Sequence, residues 1–468
     1  MDYIPTTEID RKNMLKKIGI DSITEITKEL VPVPGNGIYL PKPMSEQQLI
    51  DHLTNISKLN LVKKCFIGAG SYYHYIPSAI NHLVERGEFL TGYTPYQAEM
   101  SQGVLQAIYE YQSYICILTG MDVANASLYD GPSALAEAVV LSSSYTGRRN
   151  VVVERGLHPS YIDVLSTYCK ATELDIITAE SQSRSPSFVT VTDTNPGADT
   201  ENEAKTVRQF INNETACVVV QNPDFYGNIR DLSDLAEAAQ ESGALFIVCV
   251  VEPTSLAIIR PPGDYGADIV VGEGQSFGIP MSFGGPSLGF MAVRSFLLKK
   301  MPGRICGMTN DTQGNRGFVL TLQAREQHIR RERATSNITT NVALMALSST
   351  IYLALMGKSG LRNVATISMK RAHLLQRKLQ ALGFVSLNSN NFYNEFILKV
   401  PSSLEYSLPT EQKLVKSILL KLANNGIAGG LDLGHGSILI CCTEMNTIDD
   451  IETYESIIKE ELGLPSRS

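Results

Sequence analysis

Continuous runs of valine and isoleucine, separated by segments of helical length, fill residues 120–294. A strand that is buried on both faces reads as an unbroken apolar run instead of an alternation of polar and apolar residues. We therefore predict a largely parallel sheet with helices on both faces. The predicted strands are 151–154, 175–178, 217–223, 244–251, 267–274 and 289–294, and the predicted helices between them include 159–169 and 231–243.

The composition supports a sizeable folded core. The chain has 468 residues, of which 43% are hydrophobic and 19% are charged, and this excludes a largely disordered chain. The formal net charge of −8 argues against bulk affinity for nucleic acid or for an anionic membrane. A chain of this length is expected to form about three units.

We divide the chain into three predicted parts. Residues 1–65 form an N-terminal arm, residues 66–335 form the large α/β domain, and residues 336–468 form a linking helix and a small α+β domain. The smaller elements predicted are a proline- and glycine-rich connector at 30–43, a polar loop at 185–203, helices at 364–382 and 411–424, strands at 394–400 and 437–443, and a glycine-rich turn at 430–440.

The eight cysteines are scattered without CxxC spacing, and most lie in apolar runs. This pattern favours buried, reduced thiols in a cytoplasmic protein, and no Cys/His spacing suggests a metal site. The first residues lack the apolar stretch of a signal peptide. Residues 334–357 carry no charge, but serine, threonine and asparagine interrupt them, so we predict a core or interface helix and no membrane span.

Three features in order suggest a cofactor-binding domain. A turn of small residues from Asp130 to Ala134 opens a helix, whose N-terminus could hold an anion or simply be capped by Asp130. The strand at 244–251 ends in a polar residue, and the strand at 267–274 leads into a glycine-rich turn. This order resembles the large domain of fold-type-I enzymes that use pyridoxal phosphate (PLP).

The chain departs from that resemblance at two positions. In such enzymes an aspartate ending the middle strand pairs with the pyridine nitrogen, whereas Val251 or Glu252 stands here. A lysine after the next strand forms the Schiff base, whereas Gln275 stands here, and no lysine occurs between Lys205 and Lys299. An amide cannot form an imine with an aldehyde, so we expect no covalently bound PLP in this chain.

Long, uncommon strings resemble one family more closely. They are GAGSYYHYIP (68–77), TGYTPYQAEMSQG (91–103), LTGMDVANASLYDG (118–131), GADIVVGEGQSFGIPMSFGGPSLGF (266–290), MPGRICG (301–307) and LTLQAREQHIRRERATSN (320–337). They resemble the P-protein of the glycine cleavage system, glycine dehydrogenase (decarboxylating), and within that family the N-terminal subunit of its two-subunit form. The resemblance implies an α2β2 heterotetramer in which the C-terminal subunit carries PLP. It also implies that the complex decarboxylates glycine and passes the aminomethyl group to the lipoyl arm of the H-protein.

The resemblance implies that this subunit completes the active site at an interface. We hypothesise that a polar-aromatic loop enters the partner's glycine site, and the alternative is an ordinary packed helix start. The loop consists of Tyr93, Thr94, Pro95, Tyr96 and Gln97.

Structural roles are favoured for the other candidate site residues. Residues 325–333 contain four arginines interspersed with two glutamates, which favours a salt-bridged subunit interface or a phosphate-facing cluster over a nucleic-acid patch. His74 and His158 could be site residues, and His158 follows a strand where relatives often stack a group on the cofactor ring. Without the lysine, a vestigial or structural role is favoured for them.

Two alternatives to an active-site subunit remain open. The chain could be a silent scaffold that docks the H-protein, or an autonomous PLP enzyme with an unexpected lysine. The lysine gap argues against the second alternative.

Overall fold

The computed structural model describes residues 6–28, 41–61, 63–178, 207–323, 327–334, 336–388, 391–401 and 408–464. The chain divides into two units, Met1–Val62 and Lys63–Ser468. The first unit contains the helices α1 (Glu8–Ile18), α2 (Ile23–Thr27) and α3 (Glu46–Ser57). Thr7 and Ser45 begin α1 and α3 with reciprocal capping boxes. No residue of these three helices is buried, as expected of an arm without its own core.

The second unit contains the predicted α/β pattern. Its strands are β1 (Lys64–Cys65), β2 (Val123–Ala124), β3 (Asn150–Val153), β4 (Asp175–Thr178), β5 (Thr215–Gln221), β6 (Leu245–Val250), β7 (Ile269–Glu273), β8 (Gly289–Val293), β9 (Ile305–Asn310), β10 (Arg316–Thr321), β11 (Val385–Ser386), β12 (Glu395–Lys399), β13 (Ile427–Ala428), β14 (Leu431–Gly434) and β15 (Ser437–Cys441). Its helices are α4 (Ser78–Val84), α5 (Gly87–Leu90), α6 (Gln102–Thr119), α7 (Gly131–Thr146), α8 (Pro159–Thr172), α9 (Ser233–Ser242), α10 (Gln327–Arg330), α11 (Ala343–Gln380), α12 (Leu408–Asn424) and α13 (Ile448–Glu461).

The main sheet has the order β2-β8-β7-β6-β5-β3-β4 among the described residues. The strands from β4 to β7 pair in parallel, which confirms the predicted largely parallel sheet. β8 runs antiparallel to β7. The connection between β7 and β8 explains this direction. A parallel pair needs a long crossover connection, whereas a turn without a helix reverses the chain and makes the next strand antiparallel.

The core lies on both faces of this sheet. Val219 and Ile247 pack with Leu135 of α7 and Leu165 of α8, whereas their neighbours Val218 and Phe246 pack on the opposite face with residues of α6 and α9. Alternate residues of a strand face opposite sides, so an unbroken apolar run is what a sheet covered twice requires. Each fully buried side chain of this size contributes about 1.5–3 kcal/mol.

A second sheet, β11-β12-β15-β14, is antiparallel and packs with α12 and α13 around an apolar cluster of its own. The predicted turn at 430–440 is too simple, because β14 and β15 form a hairpin within it, closed at His435 and Gly436. Both sheets belong to the second unit. The domain boundaries placed at residues 65 and 335 therefore stay predictions.

Residues 343–357 of the charge-free segment form the start of α11, whose regular geometry is interrupted at Gly357. By length and composition alone this helix could cross a membrane. However, Ala346, Leu347, Tyr352 and Leu353 are buried against other parts of the chain. Packing of this kind favours the predicted core helix.

Two further predictions concern the cysteines and the segments at 30–43 and 185–203. All eight cysteines are described, all are free, and six are buried. Burial raises the pKa of the Cys217 and Cys249 thiols, which makes them unreactive.

The loop predicted at 185–203 lies outside the described residues, as does most of the connector at 30–43.

Candidate functional site

The N-terminus of α7 is capped by side chains of this chain. Asp130 accepts a hydrogen bond from the backbone N–H of Ser133 at 2.7 Å, and its carbonyl accepts from Ala134. Gly131 donates its N–H to Glu273 at 3.0 Å, and residue 132 is a proline without a donor. The first-turn donors are therefore used internally, so of the two interpretations of this turn the structure forms the capped helix start.

Glu273 supplies a carboxyl acceptor at this helix end. It lies at the end of β7 and also accepts hydrogen bonds from the N–H groups of Leu288 at 2.7 Å and Gln275 at 3.2 Å. Burial raises the pKa of this carboxyl, and the backbone donors oppose that shift. Gly131 is required here because a Cβ would lie 2.0 Å from the hydroxyl oxygen of Tyr161.

Glu252 follows β6, where the fold-type-I resemblance implies an aspartate. Its carboxylate is 3% exposed and accepts hydrogen bonds from Ser276 Oγ at 2.7 Å and from the N–H and hydroxyl of Thr254. Its Oε2 also lies 3.3 Å from Nε2 of His74. The carboxylate that ends this strand is thus paired with a histidine of the same chain.

Gln275 follows β7, where the resemblance implies the Schiff-base lysine. It is buried, its Oε1 accepts the N–H of Tyr72 at 3.0 Å, and its Nε2 donates to the carbonyl of Ile279 at 2.6 Å. Both ends of the amide are satisfied by backbone groups. Gln275 therefore acts as a structural bridge between the turn after β7 and the chain near Tyr72.

Residues 68–77, which we call the inserted segment, supply the groups that meet Glu252 and Gln275. His74 lies between two carboxylates, 3.3 Å from Glu252 and 2.7 Å from Glu444. Burial alone would lower the pKa of His74, but the two carboxylates outweigh it and raise that pKa to about 10. His74 is therefore an imidazolium at neutral pH, held in the interior by two acids.

Glu395 of β12 holds the other end of the inserted segment. Its two oxygens accept hydrogen bonds from Tyr72 Oη and from the N–H of Ala69, each at 2.6 Å. Burial raises the pKa of Glu395 to about 7, although both hydrogen bonds favour the charged form. Two glutamates from the C-terminal region, Glu395 and Glu444, thus fix the inserted segment against the main sheet.

His158 is covered by the same segment. Its Nδ1 accepts the N–H of Ser160 at 3.1 Å at the start of α8, and its Nε2 donates to the carbonyl of Ala69 at 2.9 Å. Its ring packs against Phe225 at 4.9 Å between centroids. Burial lowers the pKa of His158, so it is a neutral, structural histidine, as favoured from the sequence.

These residues do not fit PLP. The position of the lysine holds an amide bonded at both ends, the carboxylate after β6 is paired with His74, and the donors at the start of α7 are used by Asp130 and Glu273. We call this region the closed pocket.

The loop at residues 93–97 is exposed, in contrast. Tyr93 is 81% exposed and Tyr96 is 51% exposed, whereas Pro95 is buried and anchors the turn. The hydroxyl of Tyr96 accepts a hydrogen bond from Arg304 at 3.1 Å, and its ring meets His328 edge-on at 6.0 Å. Tyr96 is thus bonded within the chain while about half of its side chain is exposed, and the role of the loop stays a prediction.

The arginine-rich tract is described from residue 327 onward, with Arg325 and Glu326 outside the described residues. Residues 328–333 are exposed, and Arg333 lies 3.9 Å from Glu332. An exposed ion pair of this length contributes little to stability. The interface role predicted for the tract stays a prediction.

Sequence reasoning missed Glu395, Glu444 and Arg304. The only signal was a charged residue placed inside or next to an apolar run, as in NEFILKV and CCTEMN. Such residues are rarely buried unless they are paired, but the partner cannot be read from the sequence.

Solved structures define the class of protein. The chain superposes on a sphingosine-1-phosphate lyase from Burkholderia pseudomallei with a TM-score of 0.62, at 13% identity, covering 93% of this chain and 94% of that chain. It superposes on a glutamate decarboxylase from Lactobacillus brevis with a TM-score of 0.63, at 12% identity, covering 93% and 96%. At such identities the likeness shows the fold alone, which is that of the fold-type-I PLP-dependent enzymes.

Closer relatives define the family. The sequence profile of the glycine cleavage system P-protein matches residues 1–457. The chain is 42% identical over 469 residues to the probable glycine dehydrogenase (decarboxylating) subunit 1 of Moorella thermoacetica, covering 98% of this chain and 99% of that protein. The protein of the same name from Desulforamulus reducens is 43% identical over 464 residues, covering 97% and 98%.

A crystal structure of glycine decarboxylase (P-protein) of the glycine cleavage system, in inhibitor-bound form, superposes with a TM-score of 0.81 at 40% identity, covering 98% of this chain and all of that chain. The chain belongs to the glycine cleavage system P-protein family. The resemblance drawn from its sequence strings is confirmed.

Proposed function

We propose that this chain is the subunit of glycine decarboxylase that does not carry PLP. In this proposal it assembles with the C-terminal, PLP-carrying subunit as an α2β2 heterotetramer in the cytoplasm. The complex decarboxylates glycine and transfers the aminomethyl group to the lipoyl arm of the H-protein. The names of the relatives, each a subunit 1, support a multi-subunit enzyme.

One observation carries the proposal: the closed pocket is filled by the chain's own inserted segment. Tyr72 meets Gln275, and His74 meets Glu252, at the two positions where a cofactor would be held. A chain of this family whose own pocket is filled must serve the reaction from another surface. That reasoning also argues against an autonomous PLP enzyme.

The exposed loop at residues 93–97 is the surface proposed to complete the partner's glycine site. Tyr93 and Tyr96 offer hydroxyl donors outside the core, and Gln97 offers an exposed amide. Glycine presents a carboxylate, which hydroxyl and amide N–H donors recognise. The alternative, a scaffold that only docks the H-protein, predicts no effect of these side chains on glycine.

The test is co-expression with the C-terminal subunit, followed by the exchange of the glycine carboxyl group with labelled bicarbonate. The account predicts strong exchange by the complex and much weaker exchange by either subunit alone. Full exchange by the C-terminal subunit alone would reduce this chain to a scaffold.

The loop is tested separately in the assembled complex. Tyr96→Phe and Gln97→Ala should each raise the KM for glycine, by about tenfold where a hydrogen bond to the carboxylate is lost. Exchange kinetics unchanged in both variants would remove the loop from the site.

A further inference from the structure

Arg304 is a buried cation that no part of the proposed function uses. It directly precedes the strand β9, and only 3% of its surface is exposed. Burying a guanidinium is costly unless its donors are satisfied in good geometry. Such a residue at the edge of an exposed loop requires an explanation.

The guanidinium ties two distant segments together. Its Nη1 donates to Thr340 Oγ1 at 2.6 Å and to Asn341 Oδ1 at 3.3 Å, and its Nη2 donates to the carbonyl of Thr339 at 3.3 Å. The same Nη2 donates to Tyr96 Oη at 3.1 Å. Arg304 therefore fixes the Tyr96 side chain to the segment that precedes α11.

The ring of Tyr96 is held as well as its hydroxyl. The guanidinium carbon lies 5.4 Å from the centroid of that ring, in the geometry of a cation–π contact. Two contacts from one planar group restrict both the position and the rotation of the phenol. A lysine could supply only one of them at a time.

The direction of the hydrogen bond decides what Tyr96 can do. Because its oxygen accepts from Arg304, the proton of the phenol is not used in that bond and can be donated elsewhere. Arg304, which bonds this hydroxyl, also lines a small surface depression together with Lys299 and Thr340. A negatively charged hydrogen-bond acceptor, such as a carboxylate, suits the phenol donor and the cationic side chains that line the depression.

We propose that Arg304 is a positioning residue, which holds the Tyr96 hydroxyl in the orientation that donates to the carboxylate of glycine at the partner's site. The inference rests on the proposed function, because it needs glycine to lie near this loop in the complex. It explains why the cation is buried behind the loop and makes no direct contact with substrate.

The test is a double-mutant cycle on the complex with the C-terminal subunit, using Arg304→Lys, Tyr96→Phe and the double variant. Each single variant should raise the KM for glycine by about tenfold with little change in kcat, because binding of the carboxylate is lost. The double variant should show about the same tenfold rise. Arg260→Lys is the matched control, since Arg260 also lies over a tyrosine ring, Tyr265 at 5.8 Å, and should leave KM unchanged.

Two results would overturn the inference: a wild-type KM in Arg304→Lys, or effects that multiply to about a hundredfold in the double variant. Thr340→Ala, which removes one acceptor of Arg304 without touching Tyr96, gives a second test if Arg304→Lys does not assemble. It should raise KM about threefold, and only when Tyr96 is present. A rise that persists with Tyr96→Phe would also overturn it.

Failure of the proposed function has a different signature. The C-terminal subunit alone would then exchange glycine at the full rate, and every complex in the cycle would share one KM. That outcome overturns both proposals, whereas additive effects on KM overturn only the role of Arg304.

Discussion

The inserted segment (68–77) and the exposed loop (93–97) are both rich in tyrosine, but only the inserted segment sends a tyrosine into the core, while its Tyr73 and Tyr75 stay exposed. Tyr72 and His74 are buried, and Glu395, Glu252 and Glu444 bind them. Tyr93 and Tyr96 stay largely exposed. The difference shows that aromatic-polar composition does not define a site, and that acidic side chains from distant strands decide which segment becomes core.

The comparison also separates two uses of buried charge. In the closed pocket, the imidazolium of His74 satisfies two carboxylates and leaves nothing to offer a ligand. At the exposed loop, the buried guanidinium of Arg304 orients a tyrosine that still faces outward. The first arrangement stabilises the fold, whereas we propose that the second prepares a surface for a partner.

Removing His74 should give the largest effect. His74→Ala leaves Glu252 and Glu444 facing each other without a cation, which should lower the free energy of unfolding by about 3–5 kcal/mol. Urea unfolding measures it, and His82→Ala, at an exposed histidine of α4, should change stability by less than about 0.5 kcal/mol. A small loss in His74→Ala would mean that the pocket is not held shut by charge.

The interaction of His74 with Glu252 and Glu444 also predicts that stability depends on pH. The pKa of His74 is raised from its ordinary 6.5 to about 10, so its contribution is complete below pH 6.5 and is lost as the pH rises toward 10. Wild type should therefore lose stability in that window, and His74→Ala should lose less. If the free energy of unfolding fell equally with pH in wild type and in His74→Ala, the ion pair would be contradicted.

Glu395 should act in the same sense as His74 but at lower pH. Its pKa is raised to about 7, so the folded chain keeps a proton that the unfolded chain releases near the ordinary 4.5. Stability then falls by roughly 2–3 kcal/mol as the pH rises through that window. Glu395→Gln should remove this slope in unfolding measurements, whereas Glu237→Gln, at an exposed site of α9, should keep the wild-type profile. If stability still fell over this pH range in Glu395→Gln, a group other than Glu395 would be responsible for the slope.

Gly70→Ala probes the contact between the inserted segment and His158. A Cβ there would lie 2.6 Å from Nε2 of His158, at a φ of +98°, which should cost more than the backbone strain of about 1–3 kcal/mol alone. Gly147→Ala is the control, because its φ of +72° is similarly positive but nothing lies within 4 Å. Equal losses of melting temperature in the two variants would show that the segment does not press on His158.

Restoring the lysine should have no effect on cofactor binding. Gln275→Lys places an amine at the expected position, but Tyr72 and His74 still fill the pocket, so no PLP imine should form. Absorbance and borohydride fixation measure whether PLP forms an imine with the protein. Gln47→Lys, on the exposed helix α3, is the control that measures non-specific imine formation. An adduct at residue 275 above that background would show that only the lysine was missing.

The sequence predicted the sheet well because burial on both faces leaves unbroken runs such as VVVE, which became β3. It could not predict the direction of β8, since a run of apolar residues has no polarity. It also located the missing chemistry at Gln275, because a lysine gap is visible in a sequence. It could not place Glu395 against Tyr72, since those residues lie 323 positions apart and meet only in the folded chain.

The location of PLP in the intact complex tests the central claim most directly. The complex with the C-terminal subunit would be reduced with borohydride, digested, and mapped by mass spectrometry for the modified lysine. The account predicts a modified lysine on the partner subunit alone, because this chain's pocket is closed by its own residues. A stoichiometric adduct on any lysine of this chain would contradict it.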